Sequence, residues 1–347
     1  MGRRERTAAV STTPAFEAPH PRDVFVYDGG QAVEETFLTA LERNRLHHAW
    51  LLTGPEGVGK ATFAYRAARR LLGARPDPDY GLLGAAPDDQ VSRQIASRSH
   101  PDLLVLERAS EDGKARKSIP VEEVRRLPEF FSKAPGSAPY RVAIVDAADD
   151  LNINAANALL KTLEEPPSRG VLFLVAHRPG GLIATIRSRC LRLPFAPWSD
   201  ERVAEFLGQH TSLSAVDRRR LSQMAKGGPG RALYLAQAGA LEADAVAHEI
   251  LSRLPQTDEA ALLALADSFR GAEGQKRFDL LFERLADQIH DMAAHSAESE
   301  QPSAEIDRWA QAWGHIEAAP SEAEAINLDR ADVLFTAISR LRAAARP

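Results

Sequence analysis

The residues best equipped for chemistry form the run Gly54-Pro55-Glu56-Gly57-Val58-Gly59-Lys60-Ala61. It meets the phosphate-binding template G-x-x-x-x-G-K-[ST] at every fixed position but the last. Gly54, Gly57 and Gly59 let backbone N–H groups turn toward a phosphate, and Lys60 is placed to reach its β and γ oxygens. The last position normally supplies a hydroxyl to Mg²⁺, and Ala61 has none. Thr62 follows, but one residue along a helix is a rotation of roughly 100°, which points it at the sheet rather than the metal. The cradle is kept and a metal ligand is lost.

A second acidic motif is short of parts in the same way. Arg141-Val-Ala-Ile-Val-Asp146 is an apolar strand ending in the carboxylate that would steady a metal shell, the Walker-B position. The next place, where hydrolases put a Glu to polarise the attacking water, holds Ala147. Asp149 and Asp150 are expected to cap the helix that follows. Both defects predict a site that has lost efficient hydrolysis.

These motifs need a scaffold of alternating strands and helices. Apolar runs at Ala49–Thr53, Leu103–Leu106, Val142–Val145 and Val171–Val175 read as buried parallel strands. Helical patterns cover 31–45, 60–72, 120–132 (capped by Ser118, with Pro120 in the first turn) and 154–165, the last stopped by Pro166-Pro167. The alternation predicts an α/β domain over 23–197. Residues 198–243 read as a small helical unit broken at Gly227-Gly-Pro-Gly230. Residues 244–347 read as long helices, with Pro255, Pro302 and Pro320 at their junctions. Residues 1–22 read as a mobile tail without the apolar stretch of a secretory signal.

Composition sets limits. A chain of 347 residues with net charge -5 gives no global electrostatic case for nucleic acid or membrane. The 36 arginines against 7 lysines follow the alanine-rich bias of the whole chain, so arginine content by itself is weak evidence for phosphate binding. One cysteine, Cys190, permits neither an internal disulfide nor a cysteine-based zinc cluster, and suits a reducing, intracellular setting. No apolar run reaches the roughly 18 residues of a membrane helix. No basic stripe with interleaved aromatics marks a DNA face.

Asn154-AANALLKTLEEP-Pro167, the strand 171–177, Thr185-Ile-Arg-Ser-Arg-Cys190 and Gly227-GPGRA-Leu233 together resemble the clamp-loader branch of the AAA+ superfamily. With both nucleotide motifs defective, the chain is most similar to the delta-prime family of bacterial DNA polymerase III over about residues 25–235. The resemblance implies a P-loop α/β AAA+ domain with a parallel sheet, a small helical lid domain and an all-helical C-terminal collar. It implies a poor ATPase in a five-membered ring with gamma or tau subunits and delta, loading a sliding clamp onto primed DNA. On the same match Arg189, framed by Ser188 and Cys190, is a finger inserted into a neighbour's ATP site, and His177 and Arg231 are sensor residues. Lys161–Glu165 belongs either to a subunit interface or to the solvated face of a core helix.

ATP or ADP would bind weakly if at all, with Mg²⁺ uncertain. Several family members carry a four-cysteine zinc module that falls at about 73–100 here. That stretch has no cysteine, and His100 alone cannot hold zinc, so no zinc is expected. The setting implied is the cytoplasmic replisome, as part of a DNA polymerase holoenzyme. Three other readings stand beside this one: an active gamma/tau-like motor, opposed by Ala61 and Ala147; a small-molecule P-loop kinase, which lacks a basic substrate lid; and a helical scaffold, opposed by the intact glycines and Lys60.

Overall fold

The computed structural model describes residues 18–345 except 109, 112, 113, 116, 117, 257 and 299–302. Most of the expected tail, and Pro302, therefore lie outside the described residues. The chain forms two compact units, one ending at Leu233 and one beginning at Tyr234.

In the first unit the order is α1 (Gln31–Glu42), β1 (Ala49–Thr53), α2 (Lys60–Leu71), α3 (Gln90–Ala96), β2 (Leu103–Glu107) and a short hairpin, β3 (Ser110–Glu111) with β4 (Lys114–Ala115). Then come α4 (Val121–Val124), α5 (Arg126–Ser132), β5 (Arg141–Asp146), α6 (Ile153–Glu164), β6 (Gly170–Ala176), α7 (Ala184–Arg189) and β7 (Leu191–Pro194). Helices α8 (Asp200–His210), α9 (Ala215–Met224) and α10 (Pro229–Ala238) follow. Strands β2-β5-β6-β1-β7 make one parallel sheet in that order. Every residue of the inner strands β1 and β6 is buried, because helices cover both faces.

Strand alternation splits the core in two. Trp50, Leu52, Ile144 and Phe173 meet Phe37 of α1 and Phe63 of α2 on one face. Leu51, Val145, Leu172 and Leu174 meet Leu127, Leu159 and Ile186 on the other. The five parallel strands with helices on both faces are the α/β layering expected from the sequence, and β2, β5 and β6 each run a residue or two beyond the expected apolar runs.

Two helix expectations are corrected. The helix expected over 120–132 is two pieces that meet at Arg125, and Ser118 does not cap it: Pro120 stands at the cap position without a side-chain bond. Pro128 has no N–H for the Val124 carbonyl and its ring crowds that carbonyl, which interrupts the ladder there. The cap of α6 is Asn152, whose Oδ1 accepts from Ala155 N at 2.9 Å, and not Asp149 or Asp150. Asp149 instead accepts the backbone N–H groups of His177 and Arg178, at 2.5 and 3.0 Å. Asp150 pairs with Arg108 at 2.8 Å.

The second unit packs α11 (Ala240–Ser252), α12 (Glu259–Asp267), α13 (Gly271–Glu298), α14 (Ser303–Ala325) and α15 (Arg330–Ala344). Their core contains Phe278, Phe282, Ile289, Ile316, Leu334 and Ile338. Pro255 sits in the turn between α11 and α12, as expected. Pro320 does not mark a junction: it lies inside α14. Ile316 and Ala323 bury their side chains on either side of it, and that packing carries the helix past the missing N–H.

Candidate functional site

The glycine-rich run leaves the C-terminal end of β1 and opens α2. Gly59 caps α2 with φ +101°, and Gly57 has φ +72°. A Cβ on Gly57 would lie 2.1 Å from the Arg231 nitrogen. The Gly57 carbonyl accepts Gly230 N–H at 2.9 Å. Glycine is therefore required at Gly57 both by conformation and by the start of α10 pressed against it. Tyr27, which nothing in the local sequence pattern singles out, covers Gly59 from the other side.

Lys60 is buried and donates to the Gly54 and Pro55 carbonyls, at 2.6 and 2.5 Å. Burial lowers its pKa to about 8, against the pull of Asp146, Glu56 and Asp149. Asp146 ends β5 opposite Glu107 of β2. Burial, and then the Glu107 carboxylate, raise its pKa to about 6, with His20 and Lys60 opposing. Glu107 in turn pairs with Arg98 at 2.6 Å and with His20 at 3.7 Å. Thr62 and Ala147 are buried in the protein, and Ala61 packs against the α1–α2 side of the core.

The donor set at this end of the sheet thus fits a phosphate. It lacks one ligand of a catalytic Mg²⁺, since Ala61 offers no hydroxyl, and Ala147 offers no base. Among the described residues no group of three or more His, Cys, Asp or Glu is placed to hold a metal.

Asp146 makes stability depend on pH in a definite direction. Its folded pKa, about 6, lies above the ordinary 3.8. The folded chain therefore binds this proton more tightly, and the associated stability is full below about pH 4 and lost as pH rises through 6. At neutral pH the buried carboxylate costs on the order of 3 kcal/mol. Asp146→Asn is expected to raise the urea midpoint at pH 7.5 and to flatten its slope between pH 4 and 6. An Asn variant less stable than wild type at pH 7.5 would contradict this.

His177 directly follows β6, with its Nδ1 buried and without a hydrogen-bond partner among the described residues. Burial and then Lys60 lower its pKa, so the ring is neutral at pH 7. Arg231 reaches Glu56 at 3.5 Å. Lys60, Asp146, His177 and Arg231 are therefore gathered around the cradle.

Arg189 is not. It ends α7, just before β7, and Leu191 lies beside Trp50 in the parallel pair of β7 and β1. It sits at the N-terminal end of strands whose C-terminal end carries the cradle, roughly 15 Å away at about 3.3 Å per residue. Its Nη2 meets Glu164 Oε1 at 2.9 Å and its Nη1 donates to the Thr185 carbonyl at 3.1 Å. Ser188 Oγ donates to the same carbonyl at 3.2 Å. Burial raises the Cys190 thiol to about 12, which makes it a packing residue rather than a nucleophile. Lys161 and Arg125 line an open cleft with Asn154 and Asn157 on the exposed side of α6.

The stretch 73–100 is organised by an ion pair that local sequence patterns do not reveal. Arg66 Nε meets Glu34 Oε1 at 2.6 Å, and its Nη2 donates to the Tyr80 carbonyl at 2.8 Å. Glu34 Oε2 also accepts Leu83 N–H, at 3.3 Å. His100 Nδ1 accepts Asp102 N–H at 3.1 Å.

The family described as DNA polymerase III, delta subunit, matches residues 29–199. The chain is 40% identical over 164 residues to DNA polymerase III subunit delta' of Pseudomonas aeruginosa, covering 46% of this chain and 48% of that protein. It is 31% identical over 231 residues to subunit delta' of Escherichia coli, covering 66% and 67%. It is 33% identical over 178 residues to subunit delta' of Bacillus subtilis, covering 50% of each. The matched part is thus about half the length of two of these relatives and two thirds of the third.

Proposed function

Because the chain belongs to the delta-prime family of DNA polymerase III subunits, we propose that it is a non-motor clamp-loader subunit that completes a neighbour's ATP site with Arg189. The observation that carries this reading is the position of Arg189, at the opposite end of the sheet from its own cradle. An arginine there has no path to its own nucleotide, and it stands half-exposed where another chain can meet it. Placed on a γ-phosphate, its fork stabilises the charge that spreads over the equatorial oxygens as the phosphoryl group transfers.

The chain's own cradle supports the complementary half. It retains Lys60 and the glycines, so it would hold a nucleotide weakly. It has no hydroxyl at Ala61 and no base at Ala147 to hydrolyse one. In this reading gamma or tau subunits and delta complete a five-membered ring, the C-terminal helices form its collar, and the assembly loads a sliding clamp onto primed DNA in the cytoplasm. The gamma/tau-like motor reading needs the two groups these alanines remove.

The purified chain is expected to show negligible ATP turnover and to raise turnover when mixed with its motor subunits, measured by phosphate release. Robust turnover by the chain alone would sink the proposal.

A further inference from the structure

The guanidinium of Arg189 is already engaged in the chain itself. One nitrogen lies on the Glu164 carboxylate at 2.9 Å and another on the Thr185 carbonyl at 3.1 Å. Glu164 is the last residue of α6, and Thr185 lies in the first turn of the neighbouring α7. A carboxylate presents to an arginine fork the same kind of oxygens that a phosphate does. The pair is open to water, with the two side chains 36% and 51% exposed, so it is weak and exchangeable.

Glu164 is also badly placed for its own helix. It closes α6, where the carbonyl end of the helix disfavours a negative charge. Pro166-Pro167 ends the helix immediately afterwards, which fixes where the carboxylate stands. Local helix energetics gives no reason for an acid there; contact with Arg189 does.

Resting on the finger reading above, we infer that Glu164 is a positioning residue that parks the Arg189 fork and competes with the neighbour's γ-phosphate for it. The parked fork is held at the chain's edge in one orientation. A bound triphosphate, with more negative charge and more acceptor oxygens, draws it off Glu164. Departure of the phosphate returns it. Glu164 thereby restrains turnover at the neighbouring site whenever the fork is not fully engaged.

The test uses the full chain reconstituted with its ATPase subunits. Glu164→Gln keeps the length of the side chain and removes the charge. It is expected to raise kcat two- to fivefold with the KM for ATP unchanged, while the melting temperature and complex assembly stay as in wild type. In an Arg189→Ala background the same substitution is expected to change nothing, since the two residues act as one unit. Parking is overturned if Glu164→Gln leaves kcat at or below wild type while Arg189→Ala still abolishes stimulation. It is equally overturned if the rise persists in the Arg189→Ala background. If Arg189→Ala itself has no effect, the finger reading fails and this inference fails with it.

Discussion

Replacing Arg189 with alanine is expected to slow ATP hydrolysis at the neighbouring subunit's site by about 10³-fold or more, the scale typical of a lost arginine finger. The chain itself should hardly notice. Arg189 gives its own fold one exposed ion pair and a hydrogen bond to the Thr185 carbonyl. Contacts of that kind are worth about 1 kcal/mol or less, a shift of at most about 4 °C in melting temperature for a chain of this size. The separation between these two effects is the informative part. A structural arginine would lose stability and activity together; a finger loses activity in another chain's site and almost nothing in its own. Lysine should not rescue, because an ammonium cannot reproduce the planar fork. Single-turnover hydrolysis in the reconstituted complex, compared with thermal unfolding of the variant alone, reads both quantities. Wild-type turnover by Arg189→Ala would remove the central claim about this site.

The contrast between Arg189 and the cradle also explains what the sequence could tell. The cradle is a contiguous motif, so Gly54 to Lys60 and the missing hydroxyl at Ala61 are readable without a structure. Asp146 and Ala147 are readable because a buried parallel strand is a continuous apolar run, and the residue ending that run stands at the C-terminal end of the sheet. Pairings across the fold are different. Glu107 stands opposite Asp146 because β2 and β5 are neighbours in register, 39 positions apart in the chain, and no local period encodes that. Tyr27 over Gly59 and Glu164 against Arg189 are contacts of the same kind. Asp149 misled the sequence reading because an acid near a helix start is a common cap, whereas here the backbone N–H groups after β6 compete for it and win. The junction at Arg125 has a local cause in Pro128, although the pattern over 120–132 predicts one continuous helix.

Glu34 is the residue whose loss should most damage the fold. It is 3% exposed and Arg66 is 1% exposed, so each is the other's counter-charge in the core. Arg66 also donates to the carbonyls of Phe25 and Tyr80, and Glu34 also accepts from Leu83 N–H. The pair therefore ties α1 and α2 to the segment before α1 and to the loop that follows α2. Glu34→Ala leaves a guanidinium buried without its counter-charge, at a cost of about 3–5 kcal/mol. For a chain of this size that corresponds to a fall of on the order of 10 °C in melting temperature. The segment 73–100 should loosen first, since Tyr80 and Leu83 lose their anchor, and limited proteolysis should cut there before elsewhere. Removing both charges together, as Glu34→Leu with Arg66→Met, should cost much less than Glu34→Ala, because the penalty lies in the stranded charge rather than in the absent pair. EDTA should leave the wild-type melting temperature unchanged, since the loop is held by this network. A Glu34→Ala chain as stable and as protease-resistant as wild type, or a wild-type chain destabilised by EDTA, would show that something other than the Glu34–Arg66 pair organises this part of the molecule.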